Sequence, residues 1–292
     1  MKVSSVLAAI GAFVSAANAA SLTQVTNFGN NPTGAKMYTF QPDNLQKGAP
    51  VVLVLHYCGG TASAMYANTG WATAAAKYGF TVIYGETPNA SGCWDVSSPA
   101  TLSHDGNGDS TSIANMVRYA VKDPKIAADS KRVFVTGISS GAMMTNVLSA
   151  AYPELFAAAT SYAGVAAGCF YTGSVAGWNS TCSSGQSTQT QQEWASVAKA
   201  MDPGYNGPRP SMTLYHGTAD TTINPQNLQE ALKQWTGVFG YSMTGGQASQ
   251  NQPISGWTTT VYGPKVRGVV AQGVTHSIPM QVDNDLKLFG LA

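Results

Sequence analysis

Short apolar runs and longer amphipathic stretches alternate along the chain. Val51-Val52-Leu53-Val54-Leu55 follows Pro50 and stops at His56-Tyr57-Cys58-Gly59-Gly60. A continuous apolar run of this length between breakers predicts a strand buried on both faces. Trp71 to Tyr78 is rich in alanine and predicts a helix, with Gly79 as its stop. Thr81-Val82-Ile83-Tyr84 predicts the next strand, and the polar stretch Gly85 to Gly108 a loop. Asp109 or Ser110 then caps a helix reaching about Val121, with Ile113, Met116, Val117 and Ala120 on one face. Further strands are predicted at Arg132 to Val135, Phe156 to Tyr162 and Ser211 to Tyr215, with short late ones at Thr259 to Val261 and Val269 to Ala271. Helices are predicted at Ala142 to Ala151, ended by Pro153, and at Pro225 to Val238, with Leu228, Leu232 and Trp235 on one face. The Gly/Ser/Thr-rich segment from Gly164 to Gln192 and the stretch from Gly245 to Gln252 read as loops. Strands alternating with helices predict an α/β fold, a mostly parallel sheet covered on both faces. No repeat or linker divides the chain, so one domain is expected over residues 21–292.

The N-terminus stands outside this pattern. Lys2 precedes a small apolar run from Val3 to Val14, and Ala17-Asn18-Ala19 offers the small residues a signal peptidase reads. Residues 1–20 therefore predict a secretory leader cleaved after about Ala19 or Ala20, too short for a bilayer span. Secretion changes the reading of Cys58, Cys93, Cys169 and Cys182. In an oxidising compartment four cysteines predict two disulfides, with three pairings open. Without a close C-x-x-C pair, a zinc site is not expected. The sequons at Asn89 and Asn179 are candidate glycan carriers. The net charge is +1, only 10% of residues are charged, and no block of like charge occurs. That leaves no electrostatic footprint for nucleic acid or a membrane surface. A Gly/Ser/Thr/Asn-rich surface suits an uncharged polymer instead.

The chemistry centres on Gly137-Ile138-Ser139-Ser140-Gly141, which follows a predicted strand and opens a predicted helix. That is the context of a nucleophile elbow, where a tight turn exposes the serine hydroxyl above the sheet. The hydroxyl needs a base, and in such enzymes the order along the chain is serine, acid, histidine. Only His216 and His276 follow Ser139. With His216 as base, the intervening acids Glu154, Glu193 and Asp202 are poorly placed. With His276 as base, Asp220 becomes available in the turn after a strand, where α/β folds carry functional groups. The assignment is Ser139 as nucleophile, His276 as base and Asp220 as its orienting acid. The oxyanion needs two N–H donors. Ser140 supplies one, and Cys58, in the loop after the first buried strand, the other. Tyr57, Trp94 and Trp178 are candidate substrate contacts, Trp94 standing equally as a core residue.

Several strings carry a family resemblance. They are His56-Tyr57-Cys58-Gly59-Gly60, Cys93-Trp94-Asp95-Val96-Ser97-Ser98, Val135 to Asn146, Ala167-Gly168-Cys169-Phe170, Gly177 to Cys182, His216-Gly217-Thr218-Ala219-Asp220 and Gly273-Val274-Thr275-His276. Together they span nearly the whole mature chain and resemble the fungal secreted esterases of carbohydrate esterase family one, with a more distant likeness to polyhydroxybutyrate depolymerases. The resemblance implies an α/β-hydrolase fold, the same triad, and the disulfides Cys58–Cys93 and Cys169–Cys182. It also implies removal of acetyl groups from xylan or, alternatively, of ferulate from arabinoxylan; no cofactor or metal is implied, and a monomer is expected. Two departures are noted. No cellulose-binding module is expected after the esterase domain, and Glu86 stands where a neutral residue is expected, in a loop read as facing substrate. A dead carbohydrate-binding scaffold is disfavoured by the intact serine–acid–histidine order. A lipase is disfavoured because its apolar mouth contrasts with the polar loops here.

Overall fold

The computed structural model describes residues 20–292. The leader read over residues 1–20 thus lies, apart from Ala20, outside the described residues. Among the described residues ten strands form one sheet: β1 (Thr23–Val25), β2 (Lys36–Phe40), β3 (Val51–Leu55), β4 (Thr81–Glu86), β5 (Val133–Ile138), β6 (Ala158–Tyr162), β7 (Ser211–Gly217), β8 (Gln247–Gln250), β9 (Trp257–Gly263) and β10 (Val266–Ala271). The helices are α1 (Ala62–Asn68), α2 (Trp71–Tyr78), α3 (Asp109–Lys122), α4 (Ser140–Ala151), α5 (Ser180–Ser183), α6 (Gln191–Lys199), α7 (Gln226–Phe239) and α8 (Val282–Leu288).

The strand order is β1-β2-β4-β3-β5-β6-β7-β10-β9-β8. The central six strands, β4 through β10, pair in parallel. Antiparallel pairs extend both edges. Every residue of β3 is buried, and alternate side chains point to opposite faces. Val51, Leu53 and Leu55 pack with Val117 of α3, Leu148 of α4 and Leu232 and Trp235 of α7. Val52 and Val54 pack with Met65 of α1, Trp71 of α2 and Leu286 of α8. This is the mostly parallel sheet covered on both faces that the alternation of elements predicts, and it agrees with the α/β-hydrolase fold that the resemblance implies. From β3 the chain winds outward to β4, then crosses back to β5 and winds the other way. The loops leaving β3 and β5 therefore diverge onto opposite faces and open a crevice at the switch point, where open α/β sheets bind their ligands.

The structure corrects several expectations. Residues 247–250 form strand β8, not a loop. All four are exposed, so no apolar alternation marked them, and pairing with Thr258–Val261 of β9 makes the strand. The segment read as a loop from Gly164 to Gln192 holds α5 and the start of α6. Helix α6 opens with a reciprocal capping box of Thr190 and Glu193. Helix α3 is capped by neither Asp109 nor Ser110: its N-cap is Gly108, and Asp109 lies inside the first turn. There the buried carboxylate of Asp109 accepts the Asp95 N–H at 3.0 Å and the Asn89 amide at 2.9 Å. Helix α4 starts at Ser140, two residues earlier than expected.

Helix α8 brings a buried carboxyl group under the sheet. Asp285 is fully buried and accepts hydroxyls from Thr160 (2.9 Å), Tyr162 (2.8 Å) and Tyr215 (3.0 Å). Burial pushes its pKa up to about 7, against the pull of those hydroxyls. A folded-state pKa above the unfolded value near 3.8 means that the native state holds the proton more tightly. The stability contributed by Asp285 is then fully present below about pH 4 and is lost as pH rises through 7. At about 1.4 kcal/mol per unit, the loss between pH 5 and 7.5 is roughly 2–3 kcal/mol. Guanidinium unfolding at the two pH values is expected to show that loss in the wild type and a flatter profile in Asp285→Asn.

Candidate active site

Strand β5 delivers Ser139 into a turn with φ 55° and ψ −120°, and α4 begins at the next residue. The backbone there is strained, as a nucleophile elbow requires. Its two glycines follow from close approach. A Cβ on Gly141 would strike the carbonyl oxygens of Leu55 and His56, and one on Gly137 would strike the Gly141 carbonyl. The Ser139 N–H donates to Tyr162 O at 2.9 Å, which pins the turn to β6.

Three residues far apart in sequence meet at this elbow. The Ser139 hydroxyl donates to His276 Nε2 at 2.8 Å, and His276 Nδ1–H donates to Asp220 Oδ2 at 2.8 Å, the tautomer following from that network. Asp220 sits in the turn after β7, drawn to the histidine loop by the Ala219 N–H, which donates to Val274 O at 3.0 Å. The Asp220 carboxylate is buried and accepts four donors. Oδ1 takes the N–H groups of Thr222 and Ile223, both at 2.9 Å. Oδ2 takes His276 and also His216 Nε2 at 3.1 Å. Burial alone would raise its pKa; His216, His276 and the Ile223 N–H outweigh it and hold the carboxyl well below the usual range. His216 thus stands behind the acid. Its Nε2–H is shared between Asp220 and Ile223 O at 2.9 Å, and it lies outside the lining of the pocket beside Ser139.

That pocket is a cavity of about 240 Å³. Cys58 and Ser140, the expected oxyanion donors, both line it. Ser140 opens α4, so its N–H belongs to the turn that a helix leaves without intrahelical partners. The Cys58–Cys93 disulfide forms part of the wall, and Cys169–Cys182 is the second bridge. Tyr57, 43% exposed, and Trp178, 55% exposed, stand at the rim. Trp94 is a buried wall rather than a platform. Its indole N–H donates to His56 O at 3.1 Å, and the side chain lines the pocket while being almost fully buried. Sequence reasoning missed Val96, Met143, Phe170 and Ile223, which add large apolar side chains to the lining. They come from four separate segments, and no local pattern joins them. It also missed Asp95 and Ser97. Asp95 Oδ1 accepts the Ala176 N–H at 3.0 Å and Ser97 Oγ accepts the Gly177 N–H at 2.7 Å, which holds the Trp178 loop over the site. Polar loops therefore surround an apolar pocket, and the contrast drawn with a lipase mouth does not hold at the pocket itself.

Two peripheral expectations change. Glu86 does not line the pocket. It bonds Lys36 at 2.8 Å and accepts the Ala62 N–H at 3.1 Å, joining β2 and β4 to α1. Burial works against its charge, but these partners hold the carboxyl below its usual range. The Asn89 amide nitrogen is engaged by Thr87 Oγ1, Cys93 O and the Asp109 carboxylate, so it acts as a tie and is a poor glycan carrier. Asn179 caps α5 through its oxygen and uses one amide hydrogen on Tyr171 O, leaving the other for a glycan. Among the described residues, His104, Glu154 and Asp202 could converge on a cation. However, His104 Nδ1 donates to Ala151 O at 2.6 Å and Glu154 pairs with Arg118 at 3.5 Å, and none of the three lines the Ser139 pocket.

Comparison with known proteins gives a consistent picture. The family model for esterase PHB depolymerase matches residues 36–250. Acetylxylan esterase A of Aspergillus ficuum is 52% identical over 275 residues, covering 93% of this chain and 90% of that protein. Acetylxylan esterase A of Emericella nidulans is 52% identical over 272 residues, covering 92% and 89%. Among solved structures, the acetyl xylan esterase from Aspergillus awamori superposes with a TM-score of 0.91 at 52% identity, over 93% of this chain and all of that one. A family match across most of the chain, and relatives sharing half its residues, leave one placement: the chain is an α/β-hydrolase esterase and belongs to the esterase PHB depolymerase family.

Proposed function

We propose that this chain is a secreted acetylxylan esterase that works through an acetyl-enzyme on Ser139. The reading is carried by the hydrogen-bonded series Ser139–His276–Asp220 at the mouth of a small apolar pocket. The likeness to named acetylxylan esterases supports the substrate. His276 takes the serine proton as Oγ attacks the acetyl carbonyl, and the carbonyl oxygen becomes an oxyanion held by the Cys58 and Ser140 N–H groups. Asp220 stabilises the imidazolium, which then protonates the departing sugar hydroxyl. Water, deprotonated by the same histidine, attacks the acyl-enzyme and releases acetate. The two disulfides support an oxidising, extracellular setting for a single esterase domain over residues 21–292.

The pocket also favours a second reading. Its volume of about 240 Å³ and its apolar lining have room for an acyl group larger than acetyl, as a feruloyl esterase needs. The test compares kcat/KM for acetate release from acetylated xylan with ferulate release from methyl ferulate. Dominant acetate release is expected, and dominant ferulate release overturns the choice of acyl group. Silence on both, with Ser139 still labelled by an organophosphonate, keeps the catalytic assignment and sinks the substrate class.

A further inference from the structure

The Ser139 pocket does not end at Tyr57. On the other side of this residue lies a second cavity of about 250 Å³, bounded by Ala64, Met65 and Asn68 of α1, by Ile138 before the nucleophile, and by the Ile278–Met280 segment after the histidine. Thr69 and Met280 in turn border a third concavity of about 530 Å³, reaching along α2 to Lys77 and Tyr78 and across to Gln281 and Asp283. Tyr57 is thus common to the first two cavities, and Thr69 and Met280 to the second and third. The three cavities therefore neighbour one another in a row that begins beside the nucleophile, and together they outline a groove.

We propose that this groove binds the xylan main chain next to the acyl-bearing residue. The inference rests on the acetylxylan reading and adds where the rest of the polymer lies. The chemistry of the lining points to an uncharged, hydroxyl-rich ligand. Two exposed aromatic rings border it: Tyr57 between the first and second cavities, and Tyr78, 39% exposed, beside the third, with the Lys77 ammonium over its ring at 4.7 Å. Such rings offer flat apolar faces with a polar tip, which suits the C–H faces of sugar rings. Between them Asn68, Thr69, Thr73 and Gln281 supply amide and hydroxyl groups. One cation, Lys77, and one anion, Asp283, border the far end, so the groove has no net charge to select a polyanion. Adjacency to the Ser139 pocket through Tyr57 narrows the occupant further. A polymer acetylated along its length must leave the reacting residue in both directions, and the groove is open on the Tyr57 side.

The test is a length series of acetylated xylo-oligosaccharides, from two to eight sugar residues, with 4-nitrophenyl acetate as a probe of Ser139 chemistry alone. For the wild type, kcat/KM is expected to rise roughly tenfold or more with length, the size of one or two stacking contacts. Two variants of exposed residues probe the groove: Tyr78→Ala removes an aromatic face, and Thr73→Trp fills the floor. Each is expected to lower the ratio of long to short substrate by about fivefold or more. A wild type indifferent to length, or variants that keep the full length gain, overturns the groove while leaving the esterase reading intact. Hydrolysis of 4-nitrophenyl acetate with no acetate release from oligosaccharides of any length overturns the acetylxylan reading, and this inference with it.

Discussion

Ser139→Ala is expected to lower kcat/KM on every ester substrate by roughly four to six orders of magnitude, leaving the residual rate that binding and oxyanion stabilisation alone supply. The effect is this large because the hydroxyl is the bond-forming atom. Without it, the imidazole 2.8 Å away has no proton to remove and no covalent intermediate forms. Folding is expected to change little. The Ser139 side chain makes no cap bond to α4, and its backbone tie to Tyr162 O does not depend on the side chain. An alanine at φ 55° meets the same strain that the serine already bears. The measurement pairs kcat/KM on 4-nitrophenyl acetate with thermal unfolding and phosphonate labelling. Loss of turnover and of labelling with unchanged melting supports the assignment. Turnover within tenfold of wild type sinks it.

The elbow was legible because its signals are local: an apolar strand, a glycine on each side of the serine, and a helical stretch directly after the second glycine. Asp220 and His276 were legible by elimination, since few acids and histidines follow Ser139 in the order this chemistry needs. What remained hidden has no local signal. Asp285 lies in a seven-residue helix with Asp283 and Asn284 and reads as solvated. Its burial depends on Thr160, Tyr162 and Tyr215, at sequence separations of 125, 123 and 70. Trp94 could be read as core or as platform. The His56 carbonyl that accepts its indole N–H, 38 residues back, decides for the wall. Strand β8 is exposed at every position and exists only because β9 offers it a partner. The pattern of apolar residues records what each segment buries. It is silent about polar groups whose partners are distant, and those groups are what shape this pocket and secure its loops.

The same distinction governs Asp220→Asn, for which a fall in kcat of about 10³–10⁴-fold at neutral pH is expected. The carboxylate accepts two N–H groups on each oxygen, and an amide has only one oxygen. If the amide nitrogen faces the backbone, it opposes the N–H groups of Thr222 and Ile223 and breaks the turn. If it faces the rings, it donates to His276 Nδ1 and moves the imidazole proton to Nε2. That proton then points at Ser139, and the hydroxyl has no acceptor for its own. Either arrangement leaves buried donors opposed, so a stability loss of about 1–3 kcal/mol should accompany the lost activity. The double variant Ser139→Ala/Asp220→Asn separates catalysis from folding. Groups that act as a unit are non-additive, so its turnover should match that of Ser139→Ala, while its stability falls by the full cost of the amide. If Asp220→Asn instead kept kcat within tenfold of wild type, Asp220 would be a turn residue. The orientation of His276 would then have to come from the loop that carries it.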